Sequence, residues 1–484
     1  MTITSISATR LSRLVGPDAL SRPAYRSLAG SIMTLLADGQ LPSGTRLPSE
    51  RELSAAMGCS RTTVTHAYAV LRERDYLTAR RGSGSVVALP GRSMVASRAL
   101  SPALAPRTHD ADTIDVTCAA TRAPTGILDA YAAALSDLPS YLGDNGYAPL
   151  GLPDLRAVLA ERYTRAGLTT SPEQIMVTSG AVAGLAVVTR ALLRPRDRAV
   201  VESPTYPNAV EALRRGGARL TSIPVDPHGW DLDEAERVLR RTPARLAYLI
   251  PDFHNPTGAA LSDGGRERLA AAVRRQRIVP VIDETIRDID LDGGPALTPF
   301  GCFAPEAIAL GSAAKSLWGG LRIGWVRMPR SLAETLLEAR VTLDLGAPVL
   351  EQLVVLQLLR EHPGMPRSRH AELVLARDAT VAALHHQLPS ARFVVPRGGL
   401  NLWVDLGDVA AGTVALVAQE HGLALAPGSR FAPTGGFRAH VRIPYVADAP
   451  RMVESIRRLA DAVSRVRDGG VTAATPRREP SFVA

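Results

Sequence analysis

The chain has 484 residues, 46% hydrophobic and 21% charged, with a net charge of +9, the make-up of a folded protein too long for one core, so two or three domains are expected. No window holds about 18 uninterrupted apolar residues and no charged start leads into an apolar run, so neither a membrane span nor a secretory leader is expected, and a cytoplasmic location is. Three widely spaced cysteines, Cys59, Cys118 and Cys302, fit neither a disulfide framework nor a metal site.

The charge is uneven. Residues 1–100 hold thirteen arginines and six acids, whereas the remaining 384 hold 43 Lys or Arg and 41 acids. A basic head on a near-neutral body points to a polyanionic partner for the head. Within it, Tyr25 to Leu36 places Leu28, Ile32, Leu35 and Leu36 on one helical face. Ser49 opens a second helix with Glu52 three residues on, a capping box, and Gly58 closes it. Ser60 caps a third helix with Val64, Ala67, Tyr68 and Leu71 inward. The turn Met57-Gly58-Cys59 makes the pair a helix-turn-helix. Tyr76–Arg80 and Ser85–Leu89, joined around Gly82-Ser-Gly84, form a two-stranded wing. Arg61, Thr62, Thr65 and His66 point outward from the third helix, whose N-terminal end is the part that enters a major groove. Arginine there reads guanine edges, and threonine contacts phosphate or a thymine methyl. Arg80 and Arg81 at the wing tip suit phosphates or a narrow minor groove.

The run LPSERELSAAMGCSRTTVTHAYAVLRERDYLTARRGSGSVV resembles the winged helix-turn-helix of GntR-type bacterial regulators over about 65 residues. The resemblance implies binding to double-stranded DNA through Arg51, Ser60, Arg61, Thr62, Thr63, Thr65, Arg81 and Gly82.

The head is expected at 18–89, followed by a linker at 90–113 rich in Pro, Ser, Ala and Arg. From 114 to 468, apolar strand-like runs alternate with amphipathic helical runs. The strands are Gln174–Thr178, Arg198–Glu202, Arg245–Ile250, Val279–Ile282 and Ala307–Leu310, and the helices include Ala181–Leu193, Asn208–Arg215 and Arg266–Arg275. That alternation predicts an α/β domain with a mostly parallel sheet, whose ligands sit at the carboxyl ends of the strands. The tail, 469–484, has no core pattern and is expected to be disordered.

The strand ends carry a consistent chemistry. Ser179-Gly180-Ala181 open a helix after the first run, and free amides at a helix N-terminus cradle a phosphate. Tyr206, Asn255 and Asp283 follow the next three, supplying an aromatic face, an amide and a buried carboxylate. Ser312, Lys315 and Arg322 follow the fifth. Lys315 is the only lysine among 56 Lys and Arg, and lysine, unlike arginine, can form a Schiff base. One ligand uses all of these. Its phosphate takes the amides, Ser312 and Arg322; its pyridinium ring stacks on Tyr206 and pairs with Asp283. Asn255 takes its ring hydroxyl, and Lys315 its aldehyde. That ligand is pyridoxal 5′-phosphate, PLP.

The body resembles fold-type I, class I aminotransferases, most specifically in HNPTG, VIDET and SAAKSLWGGLRIGW. The resemblance gives Lys315, Asp283, Asn255, Tyr206, Ser179, Gly180, Ala181, Ser312 and Arg322 their family roles at PLP. It implies that Tyr147 reaches the phosphate of a neighbouring subunit and that Arg442 clamps a substrate α-carboxylate. Relatives place a tyrosine two or three residues after the aspartate, where this chain has Thr285 and Ile286. A GntR-type head on an aminotransferase-like body, with a smaller α+β C-terminal subdomain, resembles the MocR subfamily of regulators. It implies a head-to-tail homodimer that reads an operator and responds to PLP or a PLP–amino acid adduct, with an amino acid or amine as effector. The alternative is a working aminotransferase that carries a DNA-binding head.

Overall fold

The computed structural model describes residues 5–16, 20, 23–37, 41, 45–74, 76–80, 84–87, 113–294, 296–362 and 364–469. Of the expected linker only Thr113 falls among them, and of the expected tail only Gly469.

The head contains α1 (Ala8–Val15), α2 (Ala24–Ala37), α3 (Glu50–Met57), α4 (Arg61–Glu73), β1 (Leu77–Arg80) and β2 (Gly84–Val87). Ser49 opens α3 with a complete capping box: its hydroxyl accepts from the Glu52 amide at 3.3 Å, and the Glu52 carboxylate accepts from the Ser49 amide at 2.8 Å. Gly58 ends that helix at φ 64°, a left-handed value natural to glycine. The Ser60 hydroxyl accepts from the Thr63 amide at 3.1 Å and starts α4. Val64, Ala67, Tyr68 and Leu71 then face the core, as the spacing predicts. Helix α1 has no counterpart among the expected elements, yet its Leu11 is fully buried in the same core. Strands β1 and β2 pair antiparallel from Leu77↔Val87 to Arg80↔Gly84.

The body begins with β3 (Ile114–Asp115), α5 (Ile127–Asp137) and α6 (Pro153–Arg165). It continues through β4 (Ile175–Thr178), α7 (Ala181–Leu192), β5 (Arg198–Ser203), α8 (Pro207–Arg215), β6 (Arg219–Asp226), β7 (Gly229–Trp230) and α9 (Leu232–Arg241). Next come β8 (Ala244–Leu249), α10 (Asp263–Arg275), β9 (Val279–Asp283), β10 (Ile308–Ser312), β11 (Gly324–Arg327), α11 (Ala333–Val341) and α12 (Val349–Glu361). The chain closes with α13 (Arg367–Gln387), β12 (Asn401–Asp405), α14 (Ala411–Glu420), β13 (Leu423–Ala424), β14 (Ala426–Pro427), β15 (His440–Pro444) and α15 (Ala449–Arg467).

The large sheet runs β4-β11-β10-β9-β8-β5-β6-β7. Its centre is parallel, and β11 lies antiparallel between β4 and β10. Helices cover both faces, as a parallel sheet demands. On β5, Val200 joins the core under α9 and α10, whereas Val201 joins the core under α7 and α8. Each fully buried aliphatic side chain of this kind contributes about 1.5–3 kcal/mol. The smaller subdomain packs the antiparallel sheet β12-β15-β14 with α13, α14 and α15. Strand β3 pairs with β13, Ile114↔Leu423, so the chain enters the body along this subdomain and then crosses to the large sheet.

Candidate functional site

The parallel strands deliver their last residues to one end of the sheet. Asp283 ends β9 and is buried. Its Oδ2 accepts from the Tyr248 hydroxyl at 2.5 Å, and its Oδ1 accepts from the Thr285 amide at 3.0 Å and the Thr285 hydroxyl at 2.6 Å. A carboxylate has about four acceptor sites, so three donors leave one for a ring N–H. Thr285, one of the two places where the resemblance leads one to expect a tyrosine, is folded back onto the aspartate.

Lys315 follows β10, in a π-helical turn over Ala314–Trp318. Its amine donates to the Ala119 carbonyl at 2.8 Å. Burial pushes that amine down to about 8; Cys118 and Asp283 oppose the fall, and Arg442 and Arg322 add to it. Tyr206 opens α8, and its oxygen accepts from the Asn208 amide at 2.8 Å. Burial pushes the Tyr206 phenol up to about 12, with Asp283, Arg442 and Cys118 close enough to act on it.

The phosphate side rests on a close approach. The turn Ser179-Gly180 leads into α7 without a side-chain cap, and Gly180 has φ 99°. Arg322 sits in a left-handed conformation and donates to the Ser179 carbonyl at 3.2 Å. A Cβ on Gly180 would lie 2.8 Å from the Arg322 Nη2. The Ala181 amide starts the helix, while the Gly180 amide is spent on the Thr178 carbonyl at 2.8 Å. The Ser312 hydroxyl accepts from the Ala314 amide at 3.1 Å, which leaves its own proton to donate.

Arg442 on β15 is fully buried. It donates to the Thr117 carbonyl at 2.5 Å and to the Asn255 Oδ1 at 3.3 Å, and stands 5.0 Å from the centre of the Phe431 ring. Burial lowers its guanidinium to about 10. The contact on Oδ1 turns the Asn255 Nδ2 into the end that can donate to a ring oxygen.

The residues present fit PLP. The fit rests on the remaining acceptor site of Asp283, the bare turn at Gly180 with Arg322 against it, and a lone buried amine among these groups. Asp283, Lys315, Tyr206, Arg322 and Arg442 are thus brought together, with Asn255 beside Arg442. Tyr147 is 67% exposed and is not among the groups that act on Lys315 within one chain.

Two features were missed from the sequence. Tyr248 lies inside an apolar strand run and looks like core. The stretch 116–121 has no periodicity, yet it lies across the site. Thr117 and Ala119 hold Arg442 and Lys315, and the Thr121 hydroxyl reaches the Lys315 and Leu317 carbonyls at 3.4 Å each.

In the head, Arg61 stands at the first turn of α4 with its side chain 71% exposed. Arg51 on α3 and Thr62 on α4 are exposed. Ser60 and Thr63 bond each other at 2.8 Å at the helix start. Thr65 departs from the outward reading: its hydroxyl donates to the Glu50 carboxylate at 2.8 Å and to the Arg61 carbonyl at 3.0 Å. Arg81 and Gly82 lie outside the described residues. Among the described residues no cluster of His, Cys, Asp or Glu could hold a metal, and no helix is long and apolar enough to cross a membrane.

Residues 121–462 match the family model for aminotransferase class I and II, and residues 24–87 match that for bacterial regulatory proteins of the gntR family. The chain is 27% identical to the uncharacterized HTH-type transcriptional regulator YdcR of Escherichia coli over 84% of this chain and 92% of that one. It is 30% identical to the probable rhizopine catabolism regulatory protein MocR of Rhizobium meliloti, over 65% of this chain and 66% of that one. Among solved structures it resembles LysN, an alpha-aminoadipate aminotransferase of Thermus thermophilus complexed with N-(5′-phosphopyridoxyl)-L-leucine. The TM-score is 0.67 at 28% identity, covering 74% of this chain and 94% of that one.

Proposed function

We propose that this chain, which belongs to the aminotransferase class I and II family and carries a GntR-family head, is a DNA-binding transcription regulator of the MocR type that responds to PLP or a PLP–amino acid adduct. The observation that carries the reading is the stretch 116–121. It follows β3 near the start of the body, and it is held by both Lys315 and Arg442.

Bound PLP supplies an aldehyde open to amines and an electron sink. Lys315 offers an amine that burial keeps partly neutral, and Asp283 holds the proton on the ring nitrogen. Tyr206 would stack on the ring, and Ser179, Ala181, Ser312 and Arg322 would hold the phosphate, with the bare turn at Gly180 letting it approach. Arg442 orients the carboxylate of an amino-acid effector. Whatever changes the partner of the Lys315 amine or the Arg442 guanidinium also changes the hold on Ala119 and Thr117. Those residues lie a few positions from the linker that carries the head. A ligand alters DNA binding only through a difference in affinity between the two states so linked.

Aminotransferase folds of this family are typically dimeric. A head-to-tail pair would set two heads on paired half-sites and bring Tyr147 to its partner's phosphate. The chain would work in the cytoplasm, at its operator.

The test is fluorescence anisotropy of the full chain on DNA from upstream of its own gene, with PLP titrated. Native protein should change affinity with PLP; Lys315→Ala should bind the same DNA without responding. Equal affinity with and without PLP, or no borohydride-fixed label on Lys315, would sink the proposal. A second reading, steady transamination, is favoured by the buried Arg442 beside Asn255. The fold of Thr285 onto Asp283 stands against it. Sustained turnover of amino and keto acids by native protein would promote that reading.

A further inference from the structure

Behind the strand ends that carry Asp283 and Ser312 lies a second space. A cavity of about 380 Å³ opens between α6 and the ends of β9, β10 and β11. That is within the usual range of small-molecule sites. Asp283 and Ser312 serve the first site, while their neighbours Glu284 and Gly311 line the second. Successive residues of an extended chain face opposite ways, so one stretch of backbone borders both.

Most polar groups of the lining are already engaged. Arg162 donates to Asp288 at 2.6 Å, and its guanidinium stands 5.8 Å from the centre of the Trp325 ring. Arg287 donates to the Leu297 carbonyl at 2.9 and 3.3 Å. The Trp325 indole N–H donates to the Tyr163 oxygen at 3.2 Å. Gly311 is bare because a Cβ there would lie 2.1 Å from the Trp325 indole, so the ring can lie over the strand.

Glu284 is engaged on one side only: the Tyr163 hydroxyl acts on its carboxyl as a hydrogen-bond partner. It is 8% exposed, and its Oε1 is buried without a hydrogen-bond partner among the described residues. Burial pushes its carboxyl up to about 7, against the pull of Arg287. A buried carboxylate oxygen without a donor is costly, and a ligand that brings one relieves that cost. The lining also holds Arg162, Arg165 and Arg287 beside Glu284 and Asp288, with Arg165 paired to Glu161 on the same helix. A simple amine would face three guanidiniums, and a simple acid would face Glu284. A molecule with one charge of each sign suits both sets.

We propose that this cavity is a second small-molecule site, which binds an amino-acid zwitterion with its ammonium on Glu284, its carboxylate toward the arginines and its side chain against Trp325. The site depends neither on PLP at Lys315 nor on DNA at the head. Because its wall is the backbone of Glu284 and Gly311, occupancy bears directly on Asp283 and Ser312.

The test uses full-length Arg442→Ala protein, which weakens amino-acid binding at the first site. L-phenylalanine, L-leucine and L-glutamate are titrated by calorimetry and tryptophan fluorescence, with phenethylamine and 3-phenylpropionate as single-charge controls. At least one amino acid should bind, and its single-charge analogues should bind at least about tenfold more weakly, as expected for losing a charge-assisted contact. Adding Glu284→Gln should weaken binding by a similar factor. Ala166→Leu, which narrows the wall without touching charge, should do the same. PLP absorbance of each variant reports that the strand ends still fold. No binding by any of the three amino acids up to about 10 mM, a very weak limit, would overturn the proposal. So would binding that neither Glu284→Gln nor Ala166→Leu alters.

Discussion

Lys315 is the residue on which the proposed cofactor binding turns, and its acidity can be measured. An amine must be neutral to attack an aldehyde. With its value lowered by burial to about 8, about a quarter of Lys315 is neutral at pH 7.5, against about one part in a thousand for an ordinary lysine. The rate of PLP capture should therefore rise with pH and level off above about 9. Stopped-flow absorbance across that range checks it, and a midpoint near the ordinary lysine value would show that burial does not act on the amine. The identity of this residue was legible because one lysine stands among arginines at a strand end. Asp283, Asn255 and Tyr206 were legible for the same reason, since a parallel sheet puts such residues at one edge. Tyr248 was not, because an aromatic residue inside a strand reads as core until its hydroxyl is seen on Asp283. Residues 117–121 bind mainly through backbone carbonyls, which no side-chain pattern encodes.

Two elements carry the geometry of the sites. At the start of α7, Gly180 combines a positive φ with the Arg322 Nη2 2.8 Å from the place a Cβ would occupy. Gly180→Ala would have to strain the backbone and displace Arg322, a cost of about 1–3 kcal/mol. PLP affinity should fall by about tenfold or more in a spectroscopic titration, while operator binding in the absence of PLP stays measurable. Unchanged affinity would remove the turn from the phosphate site. In the head, Arg61 is exposed on α4, with Glu50 on α3 at 4.0 Å, whereas Thr65 is tied to the same Glu50. Arg61→Ala should cost about 1–3 kcal/mol of discrimination at one base pair. Thr65→Ala should instead loosen α3 against α4 and weaken binding evenly across sequences. Binding to an operator set with single base changes separates the two, and a base-specific defect in Thr65→Ala would restore the outward reading. The period of α4 told which residues face the core, but not that an acid on the neighbouring helix draws Thr65 aside. Helix α1 escaped notice because eight residues with one buried leucine give little periodic signal.

At the scale of the molecule, the described chain leaves an apolar face uncovered. Leu128 and Leu135, seven residues apart on α5, are 79% and 54% exposed, and that spacing puts them on one side of the helix. Leu142 and Tyr147 follow on the next loop, and a bridge between Ala148 and Gly346 sets that loop beside exposed Leu343 and Leu345. Large apolar patches are rare on a monomer and mark interaction surfaces. Tyr147 is exposed beside these leucines, as its proposed role at a partner's phosphate requires. The proposed dimer thus explains two exposures at once, and it makes the head's DNA affinity depend on the body. Replacing both Leu128 and Leu135 with Glu should yield a monomer by sedimentation velocity. PLP affinity should fall with the loss of the partner's Tyr147. Operator affinity should fall by about a hundredfold or more, because two linked heads gain avidity on paired half-sites that one head cannot. A variant that becomes monomeric yet keeps native affinity for both PLP and operator would show that each head and each cofactor site is complete within one chain.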